Sequence, residues 1–176
     1  EENFVLMMNN KAKELGCKNT NFKNPHGLDE ENHYTTAYDL SLIARELLKY
    51  DKILKYTSTY EDYINVSGEN HWLVNTNKLV RFYKGIDGLK TGYADKAGYC
   101  LTATMKKNNM RLLSIVMNED TKDNRNNDTI AMMEYGFSQY GVENIISKDS
   151  YEDKIIINNA KKREVKYYLM EDVNII

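Results

Sequence analysis

The amino-acid sequence predicts an α/β protein of the α+β kind, with an antiparallel sheet packed with helices. Three observations carry that expectation. Leu40, Ile43, Ala44, Leu47 and Leu48 recur at helical spacing, and so do Ile130, Met133, Phe137 and Tyr140. Between them, Tyr99 to Met105 and Arg111 to Met117 form two strand-like runs around Lys107-Asn108-Asn109, the pattern of a hairpin. With 41% hydrophobic residues, 28% charged residues and one proline among 176 residues, the chain has the material for a core and not the profile of a disordered segment.

In chain order, Phe4, Met8, Ala12 and Leu15 predict an amphipathic helix that Gly16 ends. Residues 17–34, rich in Asn and containing Asn24-Pro25-His26-Gly27, have the turn chemistry of an irregular loop. A second helix opens at Thr36, whose hydroxyl caps it while Asp39 completes a capping-box pattern. Residues 59–66 alternate weakly as an edge strand, and Trp72-Leu73-Val74 runs into the turn Asn75-Thr76-Asn77. Gly85 to Tyr93 is a glycine-punctuated extended segment, which with the hairpin after it gives three antiparallel strands in sequence. A helix from about Asp123 to Tyr140 follows, with Gly141 beyond its end. Residues 154–157 and 164–169 predict a last hairpin, a marginal unit by itself.

Composition removes several function classes. A formal net charge of -2, with Lys and Arg interleaved among Asp and Glu, gives no general attraction to polyanions, so nucleic acid is not an expected partner. The two cysteines, Cys17 and Cys100, form no closely spaced pair and read as small buried hydrophobes. Three scattered histidines do not make a metal site. No stretch approaches the run of about 20 apolar residues that spans a bilayer, and Glu1-Glu2-Asn3 is unlike the start of a signal peptide.

Lys90-Thr91-Gly92 is the motif that reaches furthest, being one of three shared by penicillin-binding proteins and class A β-lactamases. Alone, the tripeptide reads better as a solvated strand lysine before a turn glycine. Its surroundings change that balance. Asp87-Gly88-Leu89-Lys90-Thr91-Gly92-Tyr93, Asp95-Lys96-Ala97-Gly98-Tyr99 and Arg111 to Met117 together resemble the D-alanyl-D-alanine carboxypeptidases among the low-molecular-mass penicillin-binding proteins. The likeness extends upstream through Asn19-Thr20-Asn21-Phe22, His26-Gly27-Leu28-Asp29 and Thr36-Ala37-Tyr38-Asp39-Leu40, and downstream to Arg125 and Tyr135-Gly136-Phe137.

The resemblance implies a β-lactamase/transpeptidase-like fold and an acyl transfer without cofactors. A serine attacks the bond between two D-alanines of a peptidoglycan stem peptide, and β-lactams trap the acyl-enzyme. Such chemistry needs a nucleophile with its base, an oxyanion hole and an anchor for the terminal carboxylate. By resemblance Lys90 supports the electrostatics of proton transfer, Thr91 offers its hydroxyl to the substrate carboxylate, and Gly92 lets substrate backbone lie along the strand. Tyr93 holds the position whose backbone N–H joins the oxyanion hole. Arg125 matches the arginine that holds the terminal carboxylate, a task suited to a guanidinium fork. Its other reading is an exposed arginine in the first turn of a helix, where its charge opposes the macrodipole. His26 matches a histidine at the rim of the active site, and reads equally as a loop residue with no ligand. For Asp39, which also matches a family position, helix capping is explanation enough.

The chain departs from that family in two respects. No serine has a lysine three residues on, and Ser147 is followed at once by Lys148, so neither Ser-x-x-Lys nor Ser-x-Asn occurs. In some relatives an arginine that assists carboxylate binding stands where Asn75-Thr76-Asn77 has Thr76. The expectation is therefore a piece of a longer protein, whose partners include its own missing N-terminal part. Residues 1–145 would be the C-terminal part of the catalytic domain and residues 146–176 the start of a small β-rich domain. The family implies an extracytoplasmic location at the outer face of the bacterial cytoplasmic membrane. A catalytically inactive scaffold that binds D-Ala-D-Ala or penicillin is the alternative. A β-lactamase would need a deacylating base that the sequence does not offer.

Overall fold

The structure, a computed structural model, describes residues 1–150, 152–159, 161 and 163–176. The element order is α1 (Glu2–Glu14), α2 (Ala37–Leu47), α3 (Lys52–Thr57), β1 (Glu61–Val66), β2 (Glu69–Val74), α4 (Leu79–Phe82), β3 (Ile86–Ala94), β4 (Gly98–Lys107), β5 (Met110–Glu119), α5 (Lys122–Gln139), β6 (Glu143–Ile146), β7 (Glu152–Ile156), β8 (Glu164–Tyr168) and β9 (Val173–Ile175). The main sheet is antiparallel in the order β3-β4-β5, so the strand bearing Lys90 is an edge strand. The tip of the β4–β5 hairpin uses Asn108 and Asn109 at φ 49° and 61°, the left-handed pair that a two-residue hairpin turn of matching twist requires.

Register explains the core. Thr91 pairs with Leu101 and Leu101 with Val116, while Ala103 pairs with Leu89 and Ser114, so these residues share one face. Helix α5 packs on that face through Met133, with Ile130 and Phe137 beside it and Leu79, Ile86, Ala103 and Met105 completing the cluster. Helices α3 and α4 pack on β3, and α2 packs on β5. The helix expected across the sheet is thus found, one residue earlier at each end. Two short helices, α3 and α4, were not expected, since neither is long enough to show a period.

At Gly88 an added Cβ would lie 2.7 Å from the Thr57 hydroxyl oxygen, which itself donates to the Asp87 carbonyl at 2.8 Å. The glycine therefore lets α3 close on the edge strand. Gly88→Ala is expected to lower stability by about 1–3 kcal/mol, read as a shifted denaturant midpoint at constant slope.

Several expectations need correction. Residues 61–74 do not join the main sheet but form their own two-stranded ribbon, with Tyr63 opposite Trp72. Phe4 stays 55% exposed, and Val5, Met8, Ala12 and Leu15 form the inward side of α1 instead. Neither cysteine is fully buried: Cys17 and Cys100 are both intermediate, and their thiols point to the Asp39 and Ala97 carbonyls.

Thr36 does cap α2, accepting from the Asp39 N–H at 3.2 Å, but the Asp39 carboxylate turns away from the cap. It is buried and accepts from the Asn19 N–H at 2.7 Å and the Thr20 hydroxyl at 2.8 Å, tying the 17–34 loop to α2. Burial pushes its pKa up, but the hydrogen bonds from Thr20, Asn19 and Lys18 outweigh that and hold it below the ordinary value. A depressed folded pKa stabilises above the unfolded value and is lost as pH falls through the folded one. The loop's hydrogen-exchange protection is therefore expected to be flat down to about pH 4 and to fall below it, with the acid dependence reduced in Asp39→Asn.

Candidate active site

The edge strand β3 opens onto a cleft of about 800 Å³, which runs along its free edge and takes side chains from both of its faces. Lys90, Thr91, Gly92 and Tyr93 line one side. Arg125 and Asn126 approach from the start of α5, and His26 from the loop. All six residues singled out in the sequence thus meet in one cavity. A hollow of about 890 Å³ beside α1 carries Glu1, Glu2 and Glu30, which would repel an anion.

Helix α5 starts there because Thr121 caps it, its hydroxyl accepting from the Asn124 N–H at 3.0 Å. Arg125 falls in the first turn and is only 4% exposed. Its guanidinium donates to Asn126 Oδ1 at 2.9 and 3.3 Å, and among the described residues it has no carboxylate partner. Burial holds its pKa below the ordinary value against the opposing influence of Cys100 and Tyr99, yet an arginine stays charged. The exposed-arginine reading of the sequence is thereby overturned. A buried, unpaired cation is costly, and one that faces a cleft is poised to be neutralised by an anionic ligand.

Thr91 is buried and, by its pairing with Leu101, points to the face that carries α5. Its hydroxyl lies 2.7 Å from that of Thr76. The residue that sequence reasoning treated only as the loss of an arginine therefore orients the hydroxyl at the centre of the motif. Thr76 is held in turn by its neighbours. Asn75 donates to the Thr57 and Thr59 carbonyls at 3.1 and 3.0 Å, and buried Asn77 donates to the Gly88 carbonyl at 3.1 Å. The signal available in the sequence was the run of short amide and hydroxyl side chains, which bond to backbone in turns.

Lys90 is exposed, and its ammonium folds back on the Thr91 carbonyl at 2.6 Å. At Gly92 an added Cβ would sit 3.8 Å from Cys100 Cβ, an ordinary contact, so packing within the protein does not demand glycine. Tyr93 packs on Tyr99, ring centroids 4.5 Å apart, and its hydroxyl donates to Asp95 at 3.2 Å. That hydrogen bond pushes the phenol pKa up.

His26 is exposed at the rim. Asn24 Oδ1 accepts from the Gly27 N–H at 2.8 Å, closing the turn that presents it. Its Nδ1 accepts from the Leu28 N–H at 3.3 Å, which leaves the proton of the neutral ring on Nε2, 3.8 Å from Glu1. Among the described residues no cluster of His, Cys, Asp and Glu could hold a metal ion.

An edge strand bearing Lys-Thr-Gly, beside a sheet-packed helix that presents a buried arginine, defines a protein of the penicillin-binding and transpeptidase fold. Solved structures agree. The chain superposes on a penicillin-binding protein of Listeria monocytogenes with cefotaxime bound (TM-score 0.68, 36% identity, 76% of this chain and 55% of that one). It also superposes on a peptidoglycan synthesis regulatory factor of Streptococcus pneumoniae (TM-score 0.75, 26% identity, 98% and 54%).

Within that fold the chain belongs to the D-alanyl-D-alanine carboxypeptidase family, whose model matches residues 1–121. It is 46% identical to the D-alanyl-D-alanine carboxypeptidase DacF of Bacillus subtilis across 100% of its own length and 46% of the relative's. It is 36% identical to DacA of Escherichia coli, across 78% of this chain and 34% of that protein. The chain thus spans less than half the length of these curated relatives.

Proposed function

We propose that this chain supplies the carboxylate-anchoring half of the active site of a serine-type D-Ala-D-Ala carboxypeptidase that trims peptidoglycan stem peptides through an acyl-enzyme. The single observation that carries this reading is the buried guanidinium of Arg125, without a carboxylate partner among the described residues and facing the cleft that Thr91 lines. The anionic end of a D-Ala-D-Ala peptide neutralises that charge, and its backbone lies along β3 as an added strand. Gly92 leaves room for it, and the Tyr93 N–H is a donor to the developing oxyanion. Lys90 adds positive potential at the reacting end, and His26 closes the rim. β-Lactams occupy the same groove as mimics of the peptide.

The nucleophile and its base come from a Ser-x-x-Lys segment outside these 176 residues, and the complete enzyme works at the outer face of the cytoplasmic membrane. No helix among the described residues is long and apolar enough to cross a membrane. Residues 146–176 open a β-rich domain that takes in all of β6, since that strand pairs with β9 from Glu143 to Ile146.

Calorimetric titration with an acyl-D-Ala-D-Ala peptide and with its C-terminal amide tests the reading. Binding is expected for the free carboxylate alone, and equal heats for both peptides would sink it. Thr76→Val, which frees the Thr91 hydroxyl from its partner, is expected to weaken that binding about threefold to tenfold.

A further inference from the structure

The β1–β2 ribbon carries apolar surface that the fold does not use. Tyr63 is 65% exposed and Trp72 59% exposed, and the two stand directly opposite each other across the ribbon. Side chains alternate along a strand, so Tyr63 and Trp72 share their face with Glu61, Asn65, Asn70 and Val74. Asn65 donates across the strands to Asn70 Oδ1 at 2.9 Å, and the Asn70 amide N–H groups have no protein partner among the described residues. An aromatic pair flanked by amides therefore forms one amphipathic strip.

The strip is continuous with the active-site cleft, because Val74 lines that cleft. Successive same-face residues advance about 7 Å along a strand, which puts Trp72 about 7 Å and Asn70 about 14 Å beyond Val74. About four extended residues of a bound peptide cover the same span.

The chemistry of the strip selects among occupants. Residues 61–74 hold Glu61, Asp62 and Glu69 and neither Lys nor Arg, and with Glu61 paired to Arg81 at 3.6 Å the segment still offers no net positive charge to attract anionic lipid or nucleic acid. Tyr and Trp combine an apolar ring face with a polar edge, which suits the C–H face and hydroxyls of a pyranose. The amides offer hydrogen bonds to hydroxyl and N-acetyl groups.

We propose that the Tyr63 and Trp72 face of the ribbon is a binding platform for the N-acetylated amino-sugar chain that carries the stem peptide. It rests on the reading of the cleft given above. The platform holds the glycan while the peptide reaches into the cleft.

Trp72 is the sole tryptophan, so its emission reports on the site directly. The 176-residue chain is titrated with N-acetylglucosamine tetramer and with glycan stripped of its peptides, and in parallel with acyl-D-Ala-D-Ala. A saturable change in Trp72 emission with both sugars is expected, its apparent affinity lowered about tenfold in Tyr63→Ala. By calorimetry, Trp72→Ala loses the heat of sugar binding and Trp72→Phe keeps it. Ile64→Ser, on the opposite face, leaves the sugar response unchanged.

A silent Trp72, a sugar response indifferent to Tyr63→Ala, or a response to phosphatidylcholine vesicles in place of sugar would overturn the platform. Binding of peptide without sugar removes the platform alone. Binding of sugar without peptide removes the reading of the cleft instead.

Discussion

Arg125→Ala is expected to weaken binding of an acyl-D-Ala-D-Ala peptide by about 30-fold or more. The side chain is 4% exposed, lines the cleft and, among the described residues, has Asn126 Oδ1 as its only hydrogen-bond acceptor. Truncating one partner of a buried, hydrogen-bonded charge pair costs about 2–5 kcal/mol, and each 1.4 kcal/mol is tenfold in affinity. The effect on folding has the opposite character. With no carboxylate to orphan, removing the charge relieves its desolvation, so the melting temperature is expected to hold or rise. Arg125→Lys recovers only part of the affinity, because an ammonium cannot form the two parallel hydrogen bonds of a guanidinium fork. Titration and melting of the three proteins check this. A variant that melts lower but binds unchanged would make Arg125 a structural residue.

The sequence made the sheet and its motif legible because their determinants are local. Alternation from Tyr99 to Met117, interrupted only by Asn108-Asn109, specifies a hairpin, and Lys90-Thr91-Gly92 is recognisable from adjacent residues. Arg125 was identifiable by position but not by burial. A first-turn arginine is solvated unless tertiary packing covers it, and here the covering follows from the way α5 crosses the sheet. The same limit applied to Asp39. Its spacing from Thr36 gave a cap, but its carboxylate is spent on Asn19 and Thr20, residues about twenty positions away. The ribbon was read as a strand and a fragment because its apolar alternation is weak. No buried layer sets a period there, and all its residues but Val74 are exposed. Asp87 and Arg111 escaped notice as a pair, although their fork, at 2.8 and 2.9 Å, ties β3 to β5 across β4.

Asn77→Ala is expected to cost about 3 kcal/mol and to disable the cleft, an outcome that separates the turn's two roles. The amide is 1% exposed, donates to the Gly88 carbonyl at 3.1 Å and accepts from the Leu79 N–H at 3.2 Å. Alanine leaves both of those backbone groups without their partner, at about 1–3 kcal/mol each. For a chain of this size that corresponds to a melting temperature lower by about 6–12 °C. The consequence for binding follows from the geometry. The Asn77 bond to Gly88 holds the Asn75-Thr76-Asn77 turn against β3, and the turn brings the Thr76 hydroxyl to Thr91. Loosening it releases the motif's hydroxyl from its place in the cleft that Arg125 also lines. Thr76→Val instead removes an exposed hydroxyl and should leave the melting temperature nearly unchanged while weakening binding. If Asn77→Ala melts lower yet binds the peptide as tightly as the parent chain, the turn holds the fold but does not position Thr91.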